Sequence, residues 1–221
     1  MTDVHCHVTG GDPSVREFLI GRDFIGVHPW ETRDQGSGIG DQMFATLRQR
    51  LQEDSRLGVG EIGLDRLKDR IISQDMREAF EFQLQLAAEF RRPVILHGAK
   101  CWGQVVLAIR SLIPNPRSPI PSFLFHGFSR SDGLIPDIVA LGGYISVGPA
   151  VLNGHAVNYR ELVKKIPLDR LLLETDRTPE NAVKCPSVAE VATETAKLRG
   201  LSLSELETLT DRNAGRFFPD P

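Results

Sequence analysis

Six short apolar runs in this 221-residue chain each end on a histidine, a glutamate or an aspartate, and that recurrence limits the possible fold more than any single motif. The runs close at His5 and His7, at His28, at Glu61, at His97, at His126 and at Asp176. A short apolar run bounded by turn residues reads as a buried strand, and helical patterns of period 3.6 lie between most of the runs. Strands of this kind alternating with helices predict a parallel sheet covered on both faces, hence an α/β architecture. In a parallel barrel the carboxyl ends of the strands face one rim, where loops supply the chemistry. The seven residues are therefore expected to meet.

Taken in order, Val4-His5-Cys6-His7-Val8 reads as a strand. Alternation turns His5 and His7 to one side, Cα atoms about 6.6 Å apart, and Cys6 to the other, toward packing and away from any ligand role. Residues 10–13 read as a turn and residues 14–20 as a short helix. Phe24-Ile25-Gly26-Val27-His28 is a second strand, closed by Pro29 and Trp30. A flexible Gly-Ser-Gly segment over residues 36–40 leads to a helix over residues 41–54 with Met43, Phe44, Leu47 and Leu51 on its core face. The third strand and its exit loop span residues 57–65, with glycines where backbone approaches another group closely. A helix over 74–90, with Met76, Phe80, Leu84 and Ala87 or Ala88 inward, precedes a strand over 93–97 and a helix over 102–112. A proline-rich linker over 114–121 and strands over 122–126, 143–147 and 170–176 follow. The tail is helical: residues 187–199 stop at Gly200, and Ser202 with Glu205 has the spacing of a capping box. That makes seven strands in one expected domain, residues 1–221.

Any one strand-end histidine is more often a hydrogen-bonded core residue than a ligand. Jointly, a cavity of imidazoles and carboxylates is costly to desolvate unless a divalent ion satisfies its charge and lone pairs. Four or more histidines with two carboxylates exceed the needs of one open tetrahedral site, so two ions are the better count. A net charge of -3 gives no global pull toward nucleic acid or anionic membrane, so phosphate recognition would need local cations. Three cysteines without a C-x-x-C pair fit a reducing cytoplasm. No apolar run approaches the roughly 18 residues of a membrane span, and His5 stands too near the start for a leader ahead of it.

The residues also carry a resemblance. His5-Cys6-His7, Gly26-Val27-His28-Pro29-Trp30, Gly60-Glu61-Ile62-Gly63-Leu64-Asp65, Pro93-Val94-Ile95-Leu96-His97, His126-Gly127-Phe128-Ser129 and Leu173-Glu174-Thr175-Asp176 occur in the order seen in TatD-type metal-dependent deoxyribonucleases. The similarity runs over residues 3–217. It implies a TIM-barrel-like metallohydrolase of the amidohydrolase type, with His5, His7 and Asp176 on one metal, His97 and His126 on the other, and Glu61 bridging. This chain departs from the family in fitting only 20 residues between His7 and His28, which predicts a barrel short of one βα unit. The arginine usual two residues after His97 is absent, Ala99 and then Lys100 standing there. Arg130 occupies a place often held by glycine, and Arg177-Thr178-Pro179 follows Asp176.

On this reading Asp176 orients the attacking water and accepts its proton, with Glu61 as the other catalytic carboxylate. His28 contacts phosphate or supports a ligand, or instead packs under Trp30. Glu174 must be paired, and orients a ligand or a basic residue. Arg66, Lys100, Arg130 and Arg177 each follow a ligand strand end and are expected to form a phosphate-binding collar. The leading function is a two-metal, DNase-like phosphodiesterase. The alternatives are a hydrolase of an amide, ester or small phosphoester, and a metal-binding protein without turnover. Imidazole-rich ligation favours Zn²⁺ or Mn²⁺ over Mg²⁺. Nucleic acid or a phosphoester is the expected partner, and nothing calls for an obligate protein partner.

Overall fold

In the computed structural model, which describes residues 1–32, 39–68, 70–112 and 122–218, eight strands run parallel around one axis. Most of the Gly-Ser-Gly segment and all of the proline-rich linker lie outside the described residues. The strands are β1 (Thr2–Cys6), β2 (Arg16–Leu19), β3 (Phe24–Ile25), β4 (Gly58–Asp65), β5 (Val94–Ala99), β6 (Phe123–Phe125), β7 (Tyr144–Val147) and β8 (Leu171–Leu173). Helices α1 (Ile39–Glu53), α2 (Gln74–Glu89), α3 (Trp102–Leu112), α4 (Ile135–Ala140), α5 (Val157–Lys165), α6 (Val188–Arg199) and α7 (Leu203–Phe217) complete the chain. Strands β3 to β8 form one sheet in sequence order, and β1 with β2 forms a parallel pair. A bridge between Ile20 and Phe24 links β2 to β3. At the other edge the Asp176 N–H donates to His5 O at 3.0 Å and the His7 N–H to Arg177 O at 2.8 Å, so the ring closes as a TIM-barrel-like β/α barrel.

The strand count corrects the seven expected. Residues 14–20 are not a short helix: Arg16–Leu19 is β2, in register with β1 through Thr2↔Arg16 and Cys6↔Leu19. What the short opening of the chain lacks is helical cover, since among the described residues no helix lies between β1 and β3. Only Phe18 of β2 is buried, and it is the residue that commits the segment to a strand.

Val4, Phe18, Phe24, Ile95, Leu124, Tyr144 and Leu172, each from a different strand, fill the barrel together with Ala214 and Phe217 of α7. Phe24 and Phe217 stack 5.8 Å apart, so the end of α7 plugs one mouth and the strand-end histidines and carboxylates occupy the other. Each such ring, fully buried, contributes about 1.5–3 kcal/mol. The β4 glycines serve close approach. A Cβ at Gly60 would lie 2.8 Å from the Ile95 Cβ, and one at Gly63 only 2.0 Å from His97 O, at a φ of +151°. The outer layer follows the helical stripes, with Met76, Phe80, Leu84 and Ala87 of α2 all buried. Both C-terminal helices begin in capping boxes at Ser187 and Ser202, and α6 stops at a left-handed Gly200.

One buried polar side chain extends the sheet toward the site. Because β3 is only two residues long, Gln83 of α2 takes over the next pairing: its Oε1 accepts from Val27 N at 2.7 Å and its Nε2 donates to Val27 O at 3.1 Å. His28 is thereby held at the rim.

Candidate metal centre

Glu61 is the hub of the rim. Its Oε1 lies 2.6 Å from His97 Nδ1, 2.9 Å from His126 Nε2 and 3.6 Å from His28 Nε2. Its Oε2 faces the other way, 3.6 Å from His5 Nε2 and 3.7 Å from His7 Nε2. Asp176 Oδ1 completes that side at 3.4 Å from His5 and 3.6 Å from His7. All seven strand-end residues named from the sequence are thus brought together. His5, His7 and Asp176, then His5, Glu61 and His126, then His28, Glu61 and His97 each offer ligand atoms within 4.8 Å of one another.

Strand ends are held in place by buried acceptors. Asp3 receives Thr175 N at 3.0 Å, Thr175 Oγ1 at 2.6 Å and His5 N at 3.3 Å, which locks β1 to the exit of β8. Burial pushes its carboxyl up to about 6 despite those bonds. Asp65, at the end of β4, is buried 2.9 Å from His97 Nε2 and accepts from Trp30 Nε1 at 2.9 Å, Leu67 N at 2.6 Å and Lys68 N at 3.0 Å. Sequence pattern assigns Asp65 no role, although its even spacing from Glu61 places it in reach of the same face. Glu174 is paired as required. It accepts from Ser146 Oγ at 2.6 Å and Gly127 N at 2.9 Å, and its Oε2 faces His126 Nδ1 across an electrostatic contact of 3.5 Å. Trp30 N donates to His28 Nδ1 at 3.2 Å, while His28 Nε2 points toward Glu61 at 3.6 Å.

Charge within the cluster follows from these contacts. Burial alone would raise Glu61, but His126, His28 and His97 hold it well below the usual carboxylate range. Burial would likewise raise Asp176, and His5 and His126 outweigh it and hold Asp176 low. His97 and His126 are raised against burial, the first by Asp65 and Glu61, the second by Glu61 and Glu174. His7 is lowered by burial and by His5. Both ring nitrogens of fully buried His5 lack a hydrogen-bond partner, and imidazoles crowd two sides of one carboxylate. Orphaned nitrogens in such a donor set fit a divalent cation, which supplies what protein partners do not.

The four-residue collar is not gathered whole. Lys100 and Arg130 line one cleft, whereas Arg66 Nε donates to Arg70 O at 3.3 Å and Arg177 turns toward Gly10 and the Cys185 carbonyl. Cys6 is buried, its thiol 3.6 Å from Phe18 O and apart from the imidazoles.

A parallel β/α barrel that gathers imidazoles and carboxylates around a central glutamate has the build of a metal-dependent hydrolase. The family model described as TatD related DNase matches residues 21–219, and the chain belongs to that family. His5 and His7 precede the matched span, and the geometry supplies their place. An uncharacterized metal-dependent hydrolase of Bacillus subtilis, YabD, is 29% identical over 88% of this chain and 76% of its own. The 3'-5' ssDNA/RNA exonuclease TatD of Pantoea vagans is 28% identical over 87% and 76%. Among solved structures, YjjV, a TatD homologue of Escherichia coli, superposes with a TM-score of 0.81 over 100% of this chain and 98% of its own at 24% identity, a likeness of fold.

Proposed function

We propose that residues 1–221 act as one catalytic domain, a nuclease that hydrolyses phosphodiester bonds of single-stranded DNA or RNA with two divalent ions, one on each side of Glu61. The observation that carries this reading is the division of Glu61, Oε2 toward His5 and His7 and Oε1 toward His97 and His126. His5, His7 and Asp176 would hold one ion. His97 and His126 would hold the other, with His28 beside it. Zn²⁺ and Mn²⁺ suit this imidazole-rich set better than Mg²⁺. Such ions, when bound, acidify water and stabilise the leaving oxygen.

The chain's own residues do the rest. The Asp176 side chain is 46% exposed and lines a cleft of about 970 Å³, so it meets the substrate's side of the cluster. Held ionised, its carboxylate accepts the proton of the attacking water. The P–O ester bond breaks as the water oxygen bonds to phosphorus. Asp65 and Glu174 keep His97 and His126 aimed while this happens. The named exonuclease relatives support the nucleic-acid substrate. Three free cysteines agree with a cytoplasmic setting, and among the described residues no helix is long and apolar enough to cross a membrane.

Incubation of the purified protein with single-stranded oligonucleotides, phosphomonoesters and amides in Zn²⁺, Mn²⁺ or Mg²⁺ tests the proposal, alongside elemental analysis. Oligonucleotide cleavage with about two metals per chain is expected. Hydrolysis confined to amides or monoesters would overturn it.

A further inference from the structure

The rim extends beyond the ligands as two clefts, each of about 970 Å³, that share Gly127, Ser129 and Arg130. One contains Asp176 and Glu174, and the other runs from Arg130 past Lys100 to Leu67 and Leu107. A small phosphoester would occupy the first and leave the second unused.

Lys100 and Arg130 stand just past the ends of β5 and β6 with φ of 57° and 59°. L side chains adopt that left-handed conformation at a cost, and persistent strain of this kind clusters at functional sites. Arg91, also at positive φ, has a local explanation as the residue that ends the turn after α2. Lys100 is the third residue of a turn that Cys101 N closes on Gly98 O at 3.2 Å, whereas no helix end accounts for Arg130. Neither makes an ion pair or hydrogen bond with the described residues, whereas Lys165 in the first cleft is engaged by Asp132. Two unpaired cations therefore face one cleft of an otherwise acidic protein. Leu67, 56% exposed, and Leu107, 64% exposed, flank them with apolar surface. A positively charged groove that tracks the backbone is one of the two parts of a single-strand site, and here aliphatic contact from Leu67 and Leu107 stands in place of aromatic stacking.

We propose that Lys100 and Arg130 form a phosphate-binding subsite that holds the backbone of single-stranded nucleic acid as it passes from the catalytic cleft into the second. The inference rests on the phosphodiesterase reading and narrows its substrate to strands of several nucleotides. The test uses the intact protein and the K100A/R130A double variant, with K100Q/R130Q as a second form and thermal melts to verify folding. Binding of a fluorescein-labelled oligothymidylate is read by anisotropy in EDTA over a range of salt. Cleavage of the same strand and of bis(p-nitrophenyl) phosphate is read with Mn²⁺. The variants are expected to bind the strand about tenfold or more weakly. Their salt slope should flatten by about 1.4, or about 0.7 for each phosphate no longer neutralised. The kcat/KM for the strand should fall about tenfold further than that for the small ester. Unchanged affinity and slope would overturn the subsite, as would equal losses on both substrates. If the intact protein cleaved neither phosphodiester but the variants still lost salt-dependent binding, the proposed reaction would fail and the subsite would stand.

Discussion

The two sides of Glu61 are built differently. On the Oε1 side His97 is gripped from behind by Asp65, itself fixed by Trp30, Leu67 and Lys68, and His126 faces a Glu174 anchored by Ser146 and Gly127. On the Oε2 side no described residue hydrogen-bonds the rings from behind: His5 has no hydrogen-bond partner at either nitrogen and packs 4.0 Å from the His126 ring, and His7, 31% exposed, meets Glu61, Asp176 and the His5 ring. Outer carboxylates fix ring orientation and raise ligand basicity, so the braced side is set before an ion arrives. On the proposed reading the open side would take its order from an ion and from Asp176, which lines the cleft proposed for substrate.

If that division is right, the largest loss comes from the open side. Asp176→Asn is expected to lower kcat by about 10² to 10⁴ while the braced side still takes up metal. Steady-state kinetics with metal stoichiometry checks this, and a variant within a few-fold of the parent would erase the distinction. Next in size is Asp65→Asn, expected to weaken one metal position by about 10- to 100-fold in calorimetric titration. Equal weakening of both positions would show that the sides are not independent.

A pH profile separates the sides without mutation. In the metal-free protein His97 and His126 are held above their ordinary 6.5, so the stability they add is complete below 6.5 and is lost as pH rises through their raised values. Glu61, Asp65 and Asp176 are held below 4.5, 3.8 and 3.8, so theirs is complete above 4.5 and is lost as pH falls through the depressed values. His7, lowered, opposes the trend but is partly exposed, and Asp3, raised to about 6, loses its contribution as pH rises through 6 and so draws the optimum toward the lower end of the window. Melting in EDTA should therefore peak between pH 4.5 and 6.5. Metal ligation requires neutral imidazoles, so with Mn²⁺ the peak should move upward. Coincident profiles would mean that the cluster does not hold the ion.

The clustering of the strand-end side chains is legible in the sequence because each closes an apolar run, and strand ends of a parallel barrel share a rim. Their supports are less so. Gln83 and Ser146 look like ordinary residues of a helix and a strand, and only partners 56 and 28 positions away give them roles. β2 reads as a helix because four residues with one buried side chain carry little periodicity, and Asp12-Pro13-Ser14 mimics the start of a helix. Helix α5 escapes detection for a similar reason, burying only Leu162 and Val163. The collar of cations shows the limit from the other direction. Chain order places all four near ligands, but Arg177 turns away into the loop that carries Cys185, a choice of rotamer and packing that spacing does not encode.

The smallest effect falls on the outermost brace. Trp30 meets the site through its indole N–H on Asp65, its backbone N–H on His28 Nδ1 and its ring edge-on to His28 at 4.7 Å, and Lys68 lies 5.4 Å from its ring. Trp30→Phe keeps the ring and removes one donor, while Leu67 N and Lys68 N continue to hold Asp65. One hydrogen bond to a charged group is worth about 1.5–3 kcal/mol, and two remaining donors absorb part of that loss. Metal affinity should fall only a few-fold, well short of the Asp65→Asn effect, and leave the His5 side unaffected. A loss as large as that of Asp65→Asn would show that orientation of Asp65 depends on Trp30 and that the brace begins one residue further out.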